Sequence, residues 1–506
     1  MSDHIEARLK TRAAGLLAAL LLKRAGSDDD FRLWLETELA ALDAQELRAP
    51  LDPEPFRRRA EALLEVPRGR TRRRSWDEPV SDIDEAVLEE LIGQAEPFLA
   101  AGDGNNALAI LKPVAASLAE YWPQCAEWDE TLHEFFPQLD RMIAQAVLLD
   151  GVSHEARDDL ADELSQWQDE VAEYGADDAF AITITTATRG WDEPGLASVL
   201  DARGRIWPLT GTSSWLEDHL TTARLAALEA MGRTEQFLNL SRAAGRHGDH
   251  AMMLAKHERF DEAITVAHAH FRDPDSVLRL AQTLLAMHQP DAAFELARWG
   301  LQSLAVEDQG HGSAIRYGRH VLARWLRDAA HGASQLDLAI MAGQAAFEER
   351  LSREDYRAAQ TLCPSRDWPA LRETLLARLL EAAYAPERID ILLDENRIDD
   401  AIASVDRRDG GFLSPHDASL MLLARTAGTH QPGWAIRLAW RMANPIMEEG
   451  RSSHYDLAVH WLELAAQAHA SAGTTKEWHA SLDTLVQTHR RKHKLRGMLE
   501  TLRSTG

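Results

Sequence analysis

Histidine and cysteine are the residue types in this 506-residue sequence that could bind a metal ion or act as nucleophiles. Three histidine pairs have spacings that could place both rings close together: His247 and His250, His268 and His270, and His489 and His493. A zinc site needs a third ligand and a supporting set of hydrogen bonds, and the sequence shows neither for any pair. Cys125 and Cys363 stand alone, so they indicate neither a zinc site nor a disulfide framework. We therefore expect no metal site.

Motifs for nucleotide binding and metal-assisted hydrolysis are absent from the sequence. It contains no Gly-x-x-x-x-Gly-Lys-Ser/Thr, no Gly-x-Gly-x-x-Gly after a strand and no His-Glu-x-x-His. The segment Gly310-His311-Gly312-Ser313 lacks a strand-turn-helix context, which favours a loop between helices over an active-site loop. We expect no catalytic residue and no cofactor, and we interpret the protein as a non-enzyme. An enzyme with a site hidden in a helical concavity stays open as another interpretation.

Two basic segments interrupt an acidic chain, in which 55 Lys and Arg stand against 81 Asp and Glu, for a formal net charge of −26. The segments are residues 57–74 and 489–496. They contain the candidate partner-binding residues, which are Arg72, Arg73, Arg74, Arg490, Arg491, Lys492 and Lys494. Such segregated charge can pair with acidic helices of the same chain, dock an acidic protein or bind phosphates. We rank these three possibilities in that order. Phosphate binding comes last, because the net negative charge of the chain repels nucleic acid.

The elements that must position these residues are helices. Alanine and leucine are abundant, glycine and proline separate the periodic segments, and alternating strand patterns are nearly missing. The best strand candidate, residues 181–186, also fits helical spacing, and Gly190 supplies a stop, so we predict a helix there. Near the N-terminus, Phe31, Trp34, Leu35 and Leu39 predict the buried stripe of another helix.

Shifts in composition predict four parts of the chain. Short helices occupy residues 1–65, a basic linker 66–82, a helical domain 83–215 and a C-terminal helical array 216–506. The longest apolar stretch, residues 13–22, is too short to span a bilayer, so we expect no membrane association and a cytoplasmic protein. This stretch instead predicts an amphipathic first helix with Ile5, Leu9, Leu16 and Leu20 near one stripe.

A short motif recurs in the C-terminal part. Arg259-Phe260-Asp261-Glu262-Ala263-Ile264 returns as Arg397-Ile398-Asp399-Asp400-Ala401-Ile402, and looser copies occur at residues 289–294 and 103–108. Each copy combines a polar turn, capping residues and an alanine that would let two helices approach closely. The copies are unevenly spaced. We predict an all-α fold, an irregular tetratricopeptide-like helical-hairpin solenoid with an N-terminal helical cap, in which Phe260 is a buried packing residue.

A distinctive order of helical segments ends the chain. The segments are residues 416–426, 434–440, 455–470, 473–478, 482–485 and 489–495, and related segments lie upstream at residues 95–103 and 174–194. This order resembles the C-terminal helical region of bacterial SWIM zinc-finger proteins. The SWIM finger itself needs Cys-x-Cys followed by Cys-x-His, which this sequence lacks. The resemblance therefore implies the helical scaffold without the zinc, and suggests a finger carried on a separate chain.

These observations together predict a non-enzymatic cytoplasmic helical-repeat scaffold that mediates protein–protein interaction. The alternative is a nucleic-acid-associated accessory protein that binds through residues 57–74 and 489–496. A salt titration separates the two functions, because phosphate contacts weaken steeply with salt. The sequence leaves the identity of the partner and the oligomeric state open.

Overall fold

The computed structural model describes residues 12–64, 85–125, 130–207, 215–304, 312–407, 414–450 and 452–505. These residues form α-helices, one 3₁₀ helix and connecting turns, and no β-strand occurs among them. The predicted all-α helical-repeat class is therefore confirmed. The chain divides into two compact units, Met1–His270 and Phe271–Gly506. The four-part division predicted from composition stays a prediction.

Both units are built from consecutive helices that pack on their sequence neighbours. The first unit contains α1 (Ala14–Ala25), α2 (Asp29–Leu47), α3 (Glu54–Leu64), α4 (Glu85–Gly93), α5 (Glu96–Ala100), α6 (Gly104–Cys125), α7 (Glu130–Leu148), α8 (His154–Ala172), α9 (Ala181–Arg189), α10 (Leu196–Leu200), α11 (Trp215–Ala230), α12 (Thr234–Ala243), α13 (His247–Lys256) and α14 (Phe260–His270). The helix predicted over residues 181–186 is thus present as α9.

The second unit continues the same pattern of short connections between packed helices. It contains α15 (Pro274–Ala286), α16 (Pro290–Ser303), α17 (Gly312–Gly332), α18 (Leu336–Arg350), α19 (Arg353–Leu362), α20 (Trp368–Glu381), α21 (Arg388–Asp394), α22 (Ile398–Asp406), α23 (Ala418–His430), α24 (Pro432–Glu449), the 3₁₀ helix Ser452–His454, α25 (Tyr455–Ser471), α26 (Thr475–Thr488) and α27 (His493–Thr505). Among the residues described in either unit, no helix is both long and apolar enough to cross a bilayer.

One turn geometry recurs between successive helices of both units. A residue with positive φ ends the first helix, as at Glu258 and Asn396, and the next residue begins the connection. That next residue donates its backbone N–H to the carbonyl five positions earlier, from Arg259 to Leu254 at 2.9 Å and from Arg397 to Leu392 at 2.7 Å. This is the Schellman pattern, which satisfies carbonyls at the end of a helix. The same turn starts at Gly102, Gly232, Gly245, His288, Ser334 and Gly473.

In these eight turns, the residue five positions after the positive-φ residue lies where the new helix meets its neighbours. All eight residues at this position are at most 5% exposed, and five of them are alanine: Ala107, Phe237, His250, Ala263, Ala293, Ala339, Ala401 and Trp478. The predicted close-approach role of alanine in the recurring motif is confirmed. Phe260, which we predicted to be buried, is only half-buried. It is the first residue of α14, and the burial falls instead on Ala263, almost one turn later.

Candidate interaction surface

The structure places the predicted C-terminal basic residues in two different situations. Arg490 and Arg491 lie in the turn between α26 and α27, where both side chains are exposed. Neither has an ion-pair partner within the described ranges of the chain. The three other candidates, Arg72, Arg73 and Arg74, fall outside the described residues.

Two lysines of the same segment bind the protein's own backbone. The ammonium of Lys492 donates to the carbonyls of Met447 and Glu448 at the end of α24, and that of Lys494 donates to the Ser452 carbonyl at 2.9 Å. Cations at a helix C-terminus satisfy unpaired carbonyls and complement the helix dipole. The helical spacing of apolar residues predicts one continuous final helix over residues 482–502, and this prediction is wrong. The chain breaks into α26 and α27, and Lys492 reaches α24 from the turn between them.

Histidines of two predicted pairs contact residues outside their own pair. The rings of His247 and His270 stack with centroids 3.6 Å apart, and His250 Nδ1 lies 3.0 Å from the Ser241 hydroxyl. Burial lowers the pKa of His250 to about 4, so the ring is neutral near pH 7. Among the described residues, no three His, Cys, Asp or Glu side chains are grouped so that they could hold a metal ion.

Asp140, on α7, is an interhelical cap that sequence reasoning missed. Its carboxylate accepts the backbone N–H groups of Ile182 at 2.9 Å and Thr183 at 2.8 Å, in the first turn of α9. Burial raises the pKa of Asp140 to about 7, although these bonds act in the opposite direction. A carboxyl that titrates near neutral pH can act in proton transfer. Here the group is completely buried, so its role is to begin α9.

Arg224, on α11, is a second buried ionisable group of the first unit. Its guanidinium donates to the Gly190 carbonyl at 2.9 Å and to Glu193 at 2.6 Å, and its Cζ lies 5.5 Å from the ring centroid of Trp207. Burial lowers the pKa of Arg224 despite the Glu193 carboxylate. Its Nε and Nη1 atoms are buried and have no hydrogen-bond partner among the described residues.

In the second unit, a buried network surrounds Asp355 on α19. Its carboxylate lies 2.8 Å from His320 Nε2 and 3.3 Å from Arg327 Nη1, and it accepts the Ser352 hydroxyl at 2.6 Å. Burial alone would raise the pKa of Asp355, but the bonds from His320 and Ser352 outweigh it and lower the pKa. A serine, a histidine and an aspartate meet here, yet Ser352 binds Asp355 rather than the histidine. The serine caps α19, so the geometry is not that of a hydrolase.

A groove of about 460 Å³ in the second unit is lined by the turn before α22 and by the end of α23. Its polar groups bind one another. Asp399 accepts from His430 and Gln431 at 2.8 Å, and Arg397 pairs with Asp400 at 2.5 Å and with Glu373 at 3.5 Å. These bonds connect α22 and the turn before it to the end of α23 and to Glu373 of α20.

The first unit has an exposed apolar surface, in contrast to the polar groove of the second unit. We call it the leucine surface, and it consists of the exposed leucines of α1 and α2, which are Leu16, Leu20, Leu21, Leu22, Leu39, Leu42 and Leu47. Leu39 is 50% exposed and Leu47 is 73% exposed. The predicted buried stripe of α2 is therefore wrong at Leu39, while Phe31, Trp34 and Leu35 are half-buried.

The buried face of α2 is set by small and polar side chains instead. Thr37, Ala41 and Ala44 are the residues of α2 that are buried. Arg59 of α3, itself buried, donates to the Thr37 hydroxyl at 3.1 Å and fixes this face of α2 toward α3. Leu39 is consequently turned outward.

A groove of about 410 Å³ lies along the leucine surface, between α2 and the chain that leads into α3. Its lining combines apolar and charged side chains and consists of Glu36, Leu39, Ala40, Asp43, Ala44, Leu47, Ala49, Pro50, Leu51, Asp52, Pro55 and Arg58. The volume is within the range of protein binding clefts, about 300–1,000 Å³. The leucine surface is therefore our candidate functional site. Its sequence signal was the exceptional density of leucine in residues 16–22, too high for a helix with one buried face.

No family model and no curated protein matches the sequence. Among solved structures, the chain is similar to one described as a "circular tandem repeat protein with novel repeat topology and enhanced subunit contact surfaces", with 14% identity, 94% coverage of each chain and a TM-score of 0.14. A likeness at that TM-score carries no argument about fold or function. The resemblance to SWIM zinc-finger proteins stays a prediction.

Proposed function

We propose that this protein is a non-enzymatic cytoplasmic scaffold that binds partner proteins through its helical-repeat surface. The observation that carries the proposal is the leucine surface, where large apolar side chains lie uncovered beside a groove. Contiguous exposed apolar patches of this kind are typical of protein interaction sites. Their burial against a partner is favourable by about 25 cal/mol per Å² of apolar area.

The buried polar groups support a structural interpretation over a catalytic one. Asp140 begins α9, the Asp355 network joins α17 to α19, and both carboxylates are enclosed. Proton transfer requires a substrate within hydrogen-bond reach of the acid or base. The carboxylates of Asp140 and Asp355 instead form hydrogen bonds within the protein that hold helices together.

The resemblance to SWIM zinc-finger proteins supports one kind of partner in particular. Since this sequence lacks the Cys-x-Cys and Cys-x-His ligands, we propose that the partner carries the zinc finger on a separate chain. The helical scaffold and the finger would then act as two subunits of one assembly.

Affinity capture of the full-length protein from its native host, followed by mass spectrometry, tests the scaffold proposal. The wild type is compared with Leu39→Asn and with Leu422→Asn, a matched control that changes a leucine of similar exposure on α23. We expect one or more proteins to be enriched by the wild type and by Leu422→Asn. Enrichment of no protein over a tag-only control would contradict the scaffold function.

The nucleic-acid alternative is favoured by one observation: Arg490 and Arg491, in the turn between α26 and α27, are exposed and form no ion pair with any residue that the structure describes. Retention on DNA and RNA is measured for the wild type and for Arg490→Ala/Arg491→Ala while the salt concentration is raised. Phosphate contacts predict a steep loss of affinity with salt, and a shallower slope in the variant. Absence of retention at low salt would remove this alternative.

A further inference from the structure

We infer that the groove of the leucine surface binds a cationic amphipathic helix of a partner protein. This inference rests on the proposed scaffold function and deepens it, because it names the site and the chemistry of the partner. Three properties of the groove carry it: the arrangement of its apolar residues, its charge and its exclusion of other occupants.

The apolar residues of α2 line the groove in rows that follow the helix axis. Leu39 and Leu47 are eight positions apart, and Ala40 and Ala44 lie beside them at one-turn spacing. Eight residues of an α-helix rise about 12 Å. A second helix lying along this row would contact it through apolar side chains at positions i, i+4 and i+7, which is the helix-in-groove mode of recognition. The small side chain of Ala40, which is half-buried and follows Leu39, leaves space for those side chains.

The charged residues of the groove favour a partner with positive charge. Its lining holds three carboxylates, Glu36, Asp43 and Asp52, against one guanidinium, Arg58. Arg58 is already paired with Glu36 at 2.9 Å. Asp43 has no cationic partner within the described part of the chain, and Asp52 accepts the backbone N–H of Glu54 at 3.0 Å. Lysine or arginine beside the apolar stripe of a bound helix would complement these carboxylates.

The same charge disfavours two other occupants. A symmetric pairing of two copies places two grooves of net negative charge opposite each other. An anionic membrane would face the same carboxylates and a chain of net charge −26. A cationic helix from a different protein satisfies both the apolar and the charged parts of the groove.

The inference is tested with synthetic peptides and the full-length protein. The probe is a fluorescein-labelled helix of about 18 residues with leucines at i, i+4 and i+7 and lysines on its flanks. One comparison peptide replaces the lysines with glutamates, and another scrambles the sequence. Binding is followed by fluorescence anisotropy at low and at moderate salt, and circular dichroism checks that each protein variant is folded.

We expect the lysine-flanked peptide to bind the wild type more tightly than either comparison peptide. Leu39→Asn should weaken its binding about 10-fold, since it removes an apolar anchor. Asp43→Asn should weaken it about 2- to 5-fold and reduce the salt dependence, as expected for an exposed ion pair. Leu422→Asn, far from the groove in sequence and in the other compact unit, should leave binding unchanged.

Several results would overturn the inference. Equal binding of the scrambled or the glutamate-flanked peptide would show that the groove does not select a cationic helix. Leu39-dependent binding to vesicles containing phosphatidylserine, or Leu39-dependent self-association in sedimentation experiments, would identify a membrane or a second copy as the occupant. If partners captured from the host are retained by Leu39→Asn, the scaffold function stands and the groove is the wrong site.

Discussion

Buried carboxyl groups in the two compact units have pKa shifts of opposite direction. In the first unit, Asp140 and His250 are buried, and burial is the largest cause that shifts the pKa of each toward the neutral form, to about 7 and about 4. In the second unit, Asp355 is buried beside His320 and two arginines, and its pKa is lowered. Similar depth of burial thus gives pKa shifts of opposite direction. The difference is that the hydrogen bonds of Asp355 with His320, on a neighbouring helix, and with Ser352 outweigh the effect of burial.

This comparison predicts where the fold depends on electrostatics. Arg327 is 8% exposed and Arg324 is 33% exposed, so at least one cation of the second unit relies on Asp355 for compensation. Asp140 compensates no buried cation. Its hydrogen bonds are to backbone N–H groups, which can also be satisfied in part by a neutral acceptor.

Removal of Asp355 should have the largest effect. Asp355→Ala leaves Arg327 and His320 without their shared acceptor, and breaking a buried ion pair costs about 3–5 kcal/mol of unfolding free energy. Urea denaturation followed by circular dichroism measures this loss. Asp328→Ala is the matched control, because Asp328 pairs with the same arginine at 2.7 Å from an exposed position. We expect it to cost less than about 1 kcal/mol. Equal costs for the two variants would contradict the buried network.

Asp140 should make the first unit less stable as the pH rises. Its folded-state pKa of about 7 lies above the unfolded value, so the folded state binds the proton more tightly. The unfolding free energy therefore falls between about pH 4 and pH 7, by at most about 1.4 kcal/mol per pH unit. Asp140→Asn should remove this slope while losing one cap bond. Unfolding curves at closely spaced pH values test it, and an unchanged slope would show that Asp140 is ionised in the fold.

His250 should produce the opposite slope over a narrower range. Its folded-state pKa of about 4 lies below the unfolded value, so stability is lost as the pH falls from about 6.5 to about 4. In the wild type this slope and that of Asp140 partly cancel. His250→Gln should therefore expose the Asp140 slope, Asp140→Asn should expose the His250 slope, and the double variant should show neither. The same pH series of unfolding curves distinguishes these cases.

The smallest effect is expected at Ser352. Its hydroxyl accepts the backbone N–H of Asp355 at 3.1 Å and also donates to the Asp355 carboxylate. Ser352→Ala should cost about 1–2 kcal/mol, because His320 and Arg327 still compensate the carboxylate. Ser153, which caps α8 from an exposed position, gives the control variant Ser153→Ala. If both variants cost the same in denaturation experiments, the bond from Ser352 to the carboxylate contributes nothing beyond the cap.

The helical hairpins were predictable because their signals are local. The recurring motif placed Ala263 and Ala401 where helices meet, and the stop at Gly190 favoured a helix over a strand at residues 181–186. His250 could also have been found as a buried residue. It stands five positions after Gly245, where other copies of the turn have alanine, so aligning the turns predicts its burial.

The interaction surface and the buried charges were not predictable from single helices. Which face of α2 is buried depends on Arg59 reaching Thr37 from α3, and a hydrophobic pattern contains no such information. The cap of α9 comes from Asp140, 42 residues away from Ile182. The spacing of Leu482, Leu485, Leu495 and Leu502 predicts one continuous last helix, whereas the chain breaks at the turn that contains Lys492, which binds the end of α24. In each case the outcome involves a contact with a distant part of the chain.

The recurring Schellman turn has a consequence for how the chain folds. Because each turn closes with a hydrogen bond between residues five positions apart, a hairpin can form before distant parts of the chain have met. Proteins dominated by such near-neighbour contacts fold quickly, and structure can begin at several places and spread outward. A hairpin could accordingly be inserted or removed between two such turns, because each turn contains the residues that end one helix and begin the next. Insertion of whole hairpins is a route by which an array of this kind can lengthen.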